Sequence, residues 1–358
     1  MHLDQKISLK PWHTFGMEVV ARYFIEPKSK EEILTLLNYR NMIRMPVLIL
    51  GSGSNLFFTK DFDGLVVRIN SKGIGEGEDD GDFVRITVQA GENWDHFVQY
   101  CVERGWAGLE NLSLIPGTVG AAPIQNIGAY GVEVRETIES VQFVEMDSGT
   151  QRLLKNQECK FGYRESIFNR SLKGKIIITE VTFRLLKTAA ADRNKIRYLR
   201  LDYGLIGEEL RNMNVIEPGI SDVREAVCAI RRRKLPDPAM VGNAGSFFKN
   251  PVITQELKDS LNLRFPAMPG YPVPVDYKDS GLQHDLPVMI KIPAAWLIEQ
   301  CGWKGWREGD AGVHPDQPLV LVNYGSADCK QMIGLMNRII NSVSDRFGIV
   351  LEPEVSII

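Results

Sequence analysis

The amino-acid sequence predicts an α+β protein with more than one domain. The chain has 358 residues, of which 44% are hydrophobic, so it can form two or three domains with apolar cores. Segments with the alternation of strands and segments with the spacing of helices follow one another without regular β–α–β order. That mixture favours an α+β class over a parallel α/β sheet.

The periodicity of apolar residues places the individual elements. Helices are predicted at 31–38, 94–104, 221–233 (with Ser221 as its N-cap), 293–301 and 328–347. Strands are predicted at 45–50, 65–69, 82–90, 141–145, 176–185 and 319–322. The stretch 72–82 is acidic and rich in glycine, and we predict a loop there.

Composition and charge argue against several classes of protein. The formal net charge is −3 and no run of 18 apolar residues occurs, so we expect neither a nucleic-acid partner nor a membrane span. The first residues lack the basic and then apolar layout of a secretory signal. Five cysteines without Cys-x-x-Cys spacing and five histidines without metal spacing predict free thiols, a cytoplasmic location and no metal site.

The segment 242–251, Gly-Asn-Ala-Gly-Ser-Phe-Phe-Lys-Asn-Pro, carries the strongest chemical signal. Its two glycines allow backbone angles and close approaches that a Cβ would block, so the hydroxyl of Ser246 can face a ligand at short range. Phe247 and Phe248 are predicted to hold the segment on a core. The alternative is a tight turn before Pro251, because Gly, Asn, Ser and Pro dominate ordinary turns.

A second segment, 51–56, reads Gly-Ser-Gly-Ser-Asn-Leu and follows a predicted strand. Its backbone N–H groups and hydroxyls suit the oxygens of a pyrophosphate. A Rossmann fingerprint is a poor match, because the glycine turn leads to Phe57 and Phe58 and not to a helix.

A third segment, 108–131, is long, nearly uncharged and rich in Gly, Ala and Pro. A surface loop of this length normally carries charges, and a core strand does not carry so much glycine. The composition fits a wall packed closely against a large, flat ligand. A buried loop without any ligand is the alternative.

These segments occur in a fixed order with two further motifs. The order is Gly-Ser-Gly-Ser-Asn-Leu (51–56), Ile-Pro-Gly-Thr-Val-Gly (115–120) with Gln-Asn-Ile-Gly-Ala-Tyr-Gly (125–131), Tyr-Arg-Glu-Ser-Ile-Phe (163–168), the Ser246 segment, and Leu-Glu-Pro-Glu-Val (351–355). Together they resemble the MurB family of UDP-N-acetylenolpyruvoylglucosamine reductases, flavoenzymes of bacterial cell-wall synthesis. The resemblance covers nearly the whole chain.

The resemblance implies an architecture that periodicity alone does not give. It implies an FAD-binding region of two lobes, as in PCMH/VAO-like flavoproteins, and a separate α+β substrate-binding domain. The first lobe would span 1–73 together with the C-terminal tail 346–358, the second lobe 74–234, and the substrate domain 235–345.

The resemblance also implies a reaction and the residues that perform it. In this family NADPH reduces FAD, and a hydride from flavin N5 and a proton then reduce the enolpyruvyl ether of a UDP-sugar. Ser246 matches the proton donor, Arg164 the arginine that binds the substrate carboxylate, and Glu354 the catalytic glutamate. A guanidinium stays charged and can bind a carboxylate through two parallel bonds. These three side chains are expected to meet at one substrate molecule.

Alternatives remain open at two of these positions. A surface ion pair with Glu165 is the alternative role for Arg164. Glu352 competes with Glu354 by sequence alone, and a structural role in the last strand is the alternative for Glu354.

Binding residues are implied by the same family pattern. Substrate contacts are assigned to Tyr130, Tyr203, Lys234, Asn250 and Gln317. Tyr203 matches the mobile tyrosine that closes over UDP in the longer subtype, with Tyr198 as the alternative because the segment 187–200 is longer than usual. The FAD residues, which would cradle the pyrophosphate or line the ring and ribityl chain, are Gly51, Ser52, Gly53, Ser54, Asn55, Leu56, Pro116, Gly117, Thr118, Gly120, Ala121, Gln125, Asn126 and Gly128. No His or Cys matches a site of covalent attachment, so the FAD is expected to be non-covalent.

Two other functions are compatible with parts of the sequence. A different flavin oxidase or dehydrogenase would keep the 51–56 loop but would not need Ser246, Arg164 and Glu354 together. A non-catalytic nucleotide or UDP-sugar binding protein would be colourless when purified. We expect the reductase, a monomer that acts on a small-molecule UDP-sugar in peptidoglycan synthesis.

Overall fold

The structure is a computed structural model that describes residues 2–40, 45–194, 198–202, 205–273 and 288–358. The chain divides into two compact units. The first unit comprises the residues up to Trp12, Val19–Ser54 and Asp61–Arg233, and the second comprises His13–Glu18, Asn55–Lys60 and Lys234–Ile358. The three-part division expected from the sequence stays a prediction.

The described residues form many short strands and a few long ones. In chain order the strands are Leu3–Ser8 (β1), Val20–Ile25 (β2), Val47–Leu50 (β3), Leu56–Phe57 (β4), Phe62–Arg68 (β5), Ile74–Asp79 (β6), Phe83–Gln89 (β7), Trp106–Ala107 (β8), Gly128–Ala129 (β9), Val132–Glu133 (β10), Ile138–Glu145 (β11), Gln151–Lys155 (β12), Ile176–Lys187 (β13), Gly242–Asn243 (β14), Val252–Thr254 (β15), Tyr271–Pro272 (β16), Met289–Lys291 (β17), Arg307–Glu308 (β18), Ala311–Val313 (β19), Leu321–Asn323 (β20) and Ser356–Ile357 (β21).

Helices lie between these strands throughout the described chain. They are Lys30–Arg40 (α1), Trp94–Glu103 (α2), Thr188–Asn194 (α3), Ile206–Asn212 (α4), Ile220–Lys234 (α5), Gln255–Asn262 (α6), Ala294–Gln300 (α7) and Cys329–Phe347 (α8). Each predicted helix and strand falls on one of these elements, so the α+β prediction is confirmed. None of the helices in the described ranges is long and apolar enough to cross a lipid bilayer.

The first unit contains two sheets. One has the order β1-β2-β5-β3, in which β2, β5 and β3 run parallel and β1 is antiparallel. The other has the order β12-β11-β13-β7-β6, with β8 also paired to β13, and all its pairs are antiparallel. Trp94 and Phe97 of α2 pack on Phe183 of β13, with ring centroids 6.1 and 4.8 Å apart. This aromatic contact fixes α2 on the second sheet.

Strand β6 corrects the loop predicted at 72–82. Residues of β6 pair antiparallel with β7, for example Gly75 with Thr87. At Gly77 an added Cβ would lie 3.1 Å from the carbonyl oxygen of Arg85, so the pairing brings the two backbones close together. An edge strand needs a backbone partner on one side only, which is why an acidic, glycine-rich sequence can form one.

The start of helix α5 also differs from its prediction. Ile220 is its first residue, so Ser221 lies within the first turn and the prediction of Ser221 as N-cap is wrong. The N–H of Gly219 donates to the carboxylate of Asp222 over 2.8 Å. Glycine is tolerated at the N-cap, and the acidic residue three positions later satisfies its backbone N–H.

The second unit combines two short N-terminal pieces with the C-terminal part of the chain. Its sheets have the orders β14-β20-β19-β18, β15-β17-β16 and β21-β4. Helix α8 starts at a capping box: Asp328 accepts from the N–H of Gln331 over 2.8 Å, and Gln331 accepts in return over 2.9 Å. It ends at Phe347, and the C-cap residue Gly348 has a φ of 68°. Its apolar face is buried, as the periodicity predicted.

An aromatic cluster ties the short pieces to the rest of the second unit. Phe15, Phe57 and Phe247 come from three distant parts of the chain, and each is fully buried. Their ring centroids lie between 5.2 and 6.0 Å apart in edge-to-face arrangements. The segment that carries Ser246 is therefore anchored on this core, as predicted.

Replacing Phe247 by alanine should destabilise the protein strongly. The truncation leaves a cavity in the cluster and should lower the free energy of unfolding by about 3–5 kcal/mol. The matched control is Leu263→Ala, because Leu263 is 87% exposed and its loss should change stability by less than about 0.5 kcal/mol. Urea denaturation followed by circular dichroism measures both, and equal shifts in the two variants would contradict the anchoring role.

Candidate active site

The C-terminal tail pairs with the segment that carries Ser246. Phe248 and Pro353 form an antiparallel bridge, and the N–H of Glu354 donates to the carbonyl of Phe247 over 2.8 Å. Proline is tolerated there because the bridge position requires no hydrogen bond from its nitrogen. Ser246 and Glu354 thus come from neighbouring backbone segments of the second unit. Ser246 is exposed, whereas Phe247 and Phe248 are buried.

The same pairing distinguishes the two candidate carboxylates of the tail. The N–H of Lys249 donates to the carbonyl of Glu352 over 2.9 Å, and the Lys249 ammonium lies 3.8 Å from the Glu352 carboxylate. The side chain of Glu352 is 76% exposed, so this ion pair lies at the surface. Glu354 is half-buried. The structure therefore gives the two glutamates different surroundings.

The tail is fixed on its other side by the 55–59 segment. Ser356 pairs in parallel with Leu56, and the side-chain amide of Asn55 donates to the carbonyl of Glu354 over 3.4 Å. The hydroxyl of Thr59 donates to the carbonyl of Ile358 over 2.7 Å. Asn55 and Leu56 therefore hold the tail, and the cofactor contacts expected of them stay predictions.

Tight turn geometry precedes Ser246. Gly245 has a φ of 68°, in the left-handed region that favours glycine, and its N–H donates to the side-chain oxygen of Asn243 over 2.9 Å. A Cβ on Gly242 would lie 2.3 Å from the carbonyl oxygen of Phe15. The turn expected as an alternative is present, and it places the serine at its exposed end.

Other residues predicted to bind substrate lie in structured positions. The side-chain oxygen of Asn250 accepts from the N–H of Ala294 at the start of α7, over 2.9 Å. Gln317 lies in the turn between β19 and β20, and its carbonyl accepts from Val320 over 2.9 Å. Lys234 is the last residue of α5. Their contacts with substrate stay predictions.

The two tyrosine candidates for the mobile residue differ in what the structure describes. Tyr203 lies outside the described residues. Tyr198 is half-buried and packs against the main core of the first unit. The assignment to Tyr203 stays a prediction.

In the first unit, the 51–54 loop lies directly against the glycine-rich wall. The hydroxyl of Ser54 donates to the carbonyl of Pro116 over 2.9 Å, and the hydroxyl of Ser52 donates to that of Ser54 over 3.2 Å. A Cβ on Gly51 would lie 2.7 Å from the hydroxyl oxygen of Thr118. The loop and the wall, predicted separately as cofactor segments, are therefore in direct contact, and we call them together the glycine-lined cradle. Hydroxyls and backbone N–H groups of this kind suit the pyrophosphate of a flavin nucleotide.

The wall itself rests on the connection between β7 and α2. The N–H of Trp94 donates to the carbonyl of Gly117 over 3.1 Å, and the N–H of Gly120 donates to that of Ala90 over 2.9 Å. A Cβ on Gly120 would lie 2.5 Å from the Cβ of Ala90. Glycine is required at position 120 because the two backbones touch.

Asn126 links the wall to the loop that carries Arg164. Asn126 is fully buried, and its amide donates to the carbonyl of Gly162 over 2.9 Å and to the Glu133 carboxylate over 3.0 Å. Its side-chain oxygen accepts from the N–H of Arg135 over 3.1 Å. The amide is engaged within the protein. The cofactor roles of Asn126, Ala121 and Gln125 stay predictions.

Arg164 is held by the backbone of the wall. Its guanidinium donates to the carbonyl of Gly128 over 2.8 Å and to that of Asn126 over 3.4 Å. Its own φ is 55°, unusual for a residue with a long side chain, so the loop imposes this orientation. Glu165, the alternative partner, pairs with Arg170.

Arg231 contacts Tyr130, and the sequence did not single it out. Burial raises the pKa of the Tyr130 phenol, although the positive Arg231 and its hydrogen bond to the phenol act in the opposite direction. Burial also disfavours the charged form of Arg231 and so lowers the pKa of its guanidinium. The Nε of Arg231 donates to the carbonyl of Leu114 over 3.2 Å. The available signal was helical spacing, because Arg231 follows the buried Val227 by four residues and so lies beside the apolar face of α5.

Adding one methyl group at position 120 should damage the cradle. Gly120→Ala forces the wall away from Ala90, which we expect to cost about 1–3 kcal/mol of stability and to reduce bound FAD. The matched control is Gly334→Ala in α8. An added Cβ there would have no atom within 4 Å outside its own stretch of helix, and alanine favours the helix. Melting temperature and the flavin-to-protein ratio measure the effect, and full FAD retention by Gly120→Ala would contradict the packing argument.

Comparison with known families agrees with this geometry. Residues 21–154 match the FAD binding domain, and residues 237–358 match the C-terminal domain of UDP-N-acetylenolpyruvoylglucosamine reductase. The first match contains both segments of the glycine-lined cradle. The second contains Ser246 and the tail that pairs with it.

Full-length relatives carry the same name. UDP-N-acetylenolpyruvoylglucosamine reductase of Pseudomonas syringae is 45% identical over 354 residues, covering 99% of this chain and 98% of the relative. The reductases of Chromobacterium violaceum and Amoebophilus asiaticus are 46% and 45% identical and cover 97% and 100% of this chain, and 96% and 100% of their own lengths.

A solved structure supports the fold. The crystal structure of the MurB reductase from Thermus caldophilus matches with a TM-score of 0.65 at 22% identity, covering 100% of this chain and 99% of that one. The FAD-binding region with a separate C-terminal domain, predicted from the sequence, is thereby confirmed. At this identity and coverage, the chain belongs to the UDP-N-acetylenolpyruvoylglucosamine reductase family and is an FAD-dependent oxidoreductase.

Proposed function

We propose that this chain reduces UDP-N-acetylenolpyruvoylglucosamine to UDP-N-acetylmuramate, with NADPH as reductant, in cytoplasmic peptidoglycan synthesis. The names of the full-length relatives support the substrate. The single structural observation that carries the proposal is the backbone pairing of the C-terminal tail with the Ser246 segment. It brings the backbone segments that carry Ser246 and Glu354 side by side, although the two residues are 108 positions apart in the chain.

Reduction of the enolpyruvyl ether needs a hydride, a proton and a way to stabilise negative charge. FAD, when bound, supplies the hydride that it takes from NADPH. We assign the proton to Ser246, whose hydroxyl is exposed while the neighbouring phenylalanines fix its backbone. Serine is a very weak acid, so this step requires a strongly basic carbanion or enolate at the accepting carbon. Glu354 would stabilise the developing charge on the substrate carboxylate.

Arg164 is assigned to the carboxylate of the substrate. A guanidinium offers five donors in a rigid fork, and the bonds to Gly128 and Asn126 engage part of that fork with backbone carbonyls. These bonds orient the group before substrate binds, which lowers the entropy lost on binding. A lysine could not hold two carbonyls and a carboxylate in this planar arrangement.

The remaining binding residues are assigned to parts of the substrate by the charge and polarity of their side chains. Lys234 would meet the diphosphate as a point charge, and Asn250 and Gln317 would contact the sugar or phosphate groups. Tyr130 would contact the substrate from the end of the wall, and Tyr203 would close over the UDP group. Residues 51–56, 116–121 and 125–128 would hold FAD without a covalent bond. We also propose a monomer with domains at 1–73 plus 346–358, 74–234 and 235–345.

An anaerobic titration tests the proposed function. The purified protein should be yellow, NADPH should bleach its flavin absorption, and UDP-N-acetylenolpyruvoylglucosamine should then restore that absorption without oxygen. Bleaching that oxygen reverses but the UDP-sugar does not would favour a different flavin oxidase. A colourless protein that binds UDP-sugars would favour a binding protein without redox activity.

Removing the proposed proton donor should separate the two half-reactions. In Ser246→Ala we expect turnover to fall by about 10²–10⁴-fold, because general acid catalysis contributes that much. Reduction of the flavin by NADPH should proceed at the normal rate, since it does not need this hydroxyl. Ser260→Ala, an exposed serine on α6, is the matched control. Stopped-flow absorbance resolves both steps, and near-normal turnover in Ser246→Ala would assign the proton to another group.

A further inference from the structure

We infer that the ion pair between Asp95 and Arg224 is a positioning pair for the candidate active site, acting through Leu114 on the Arg231–Tyr130 contact and on the glycine-lined cradle. The inference rests on the proposed function, in which Tyr130 contacts the substrate and the cradle holds FAD. All five residues belong to the first unit.

The ion pair is two-pronged and largely shielded from solvent. The Arg224 guanidinium donates to the two carboxylate oxygens of Asp95 over 2.7 and 3.0 Å. The two side chains are 15% and 21% exposed, respectively. Burial opposes ionisation of Asp95, but the guanidinium and a backbone N–H outweigh it and hold the pKa of that carboxyl below its usual value. This pairing joins the first turn of α2 to α5.

Leu114 is the residue through which the pair acts on the wall. Its φ is 59°, a backbone conformation that residues other than glycine rarely adopt. Its N–H donates to the Asp95 carboxylate over 2.5 Å, and its carbonyl accepts from Arg231 over 3.2 Å. Both polar backbone groups of Leu114 are therefore held by charged side chains. The unfavourable conformation persists because these two contacts determine it.

Two consequences follow along the chain from Leu114. Two residues later, the carbonyl of Pro116 accepts from the hydroxyl of Ser54, and this hydrogen bond joins the wall to the 51–54 loop. On the other side, Arg231 lies near the phenol of Tyr130, so that its positive charge acts on the pKa of that phenol. The position of the Asp95 carboxylate therefore affects both the cradle and Tyr130, because the wall segment 114–116 connects them.

The spacing on α5 gives this arrangement its rigidity. Arg224 and Arg231 are seven residues apart, two helical turns, so both project from the same side of the helix. Arg224 reaches Leu114 through Asp95, and Arg231 reaches it directly. A single helix therefore holds both the N–H and the carbonyl of Leu114. Loss of the Arg224 ion pair should free the backbone at this residue.

The test uses the FAD-loaded enzyme and three variants. Arg224→Gln removes the charge and the fork, and Arg224→Lys keeps the charge but not the two parallel bonds. Arg232→Gln, an exposed arginine on the same helix, removes one positive charge without touching the network and is the matched control. Measured quantities are kcat and KM for the UDP-sugar, the dissociation constant of FAD on reconstitution of the apoprotein, and the melting temperature.

We expect Arg224→Gln to raise KM and the FAD dissociation constant at least tenfold each, with a loss on the order of 10²-fold in kcat/KM, because displacement by about 1 Å can have that effect. Arg224→Lys should lie between Arg224→Gln and the wild type, and Arg232→Gln should match the wild type. A lowered melting temperature with unchanged KM and FAD affinity would overturn the inference, since a purely structural pair would behave that way.

A double-mutant cycle with Tyr130→Phe tests the route of the coupling. If Arg224 acts through Arg231 and Tyr130, the effects of Arg224→Gln and Tyr130→Phe on KM will fall short of additive, whereas strictly additive effects would overturn that route. Failure of the proposed function is recognised separately, because the wild type would then not turn over the UDP-sugar. In that case the FAD dissociation constant still decides whether Arg224 positions the cradle.

Discussion

The backbone hydrogen bonds of the C-terminal tail constrain the chemistry of the second unit. The tail runs between the 55–59 segment and the Ser246 segment, with Glu354 bonded to Phe247, Ser356 to Asn55 and Ile358 to Phe57. Each bond contributes about 0.5–1.5 kcal/mol net, and the buried aromatic rings on either side contribute more. The tail therefore has a structural role and also carries a candidate catalytic carboxyl.

A comparable constraint operates in the first unit, where two glycines lie in close contact with residues from distant parts of the chain. Gly51 touches Thr118, and Gly120 touches Ala90, at distances that leave no room for a side chain. The wall consequently follows the connection between β7 and α2 instead of forming a loop of its own. A cradle built in this way contains no glycine turn that opens a helix, which explains why the Rossmann pattern did not fit.

Charged groups in this protein serve largely to orient backbone. Arg164 and Arg231 donate to wall carbonyls, and Asp95 accepts from a wall N–H. Buried charges are stable only when they are paired or hydrogen-bonded, so each of these contacts is costly to remove. The same contacts place non-glycine residues such as Leu114 and Arg164 in left-handed conformations. Strain of this kind persists where the surroundings determine the backbone.

The amino-acid sequence by itself determined the fold class and the order of the elements, because periodicity is a local property. Glycine placement, which is also local, singled out three segments as candidates for ligand binding. The sequence also predicted that Ser246 is accessible and that Phe247 and Phe248 are buried, as the structure has them. Local patterns misplaced the N-cap of α5 and missed β6, since the edge strand depends on β7 as its partner.

Only the tertiary structure decided which distant residues meet. The pairing of the tail with the Ser246 segment, the surface ion pair of Glu352 and the contact of Arg231 with Tyr130 join positions far apart in the chain. No sequence period encodes such contacts, because they result from how separate elements pack. Helix α5 places Arg231 against the wall, whereas its neighbour Arg232 is exposed to solvent.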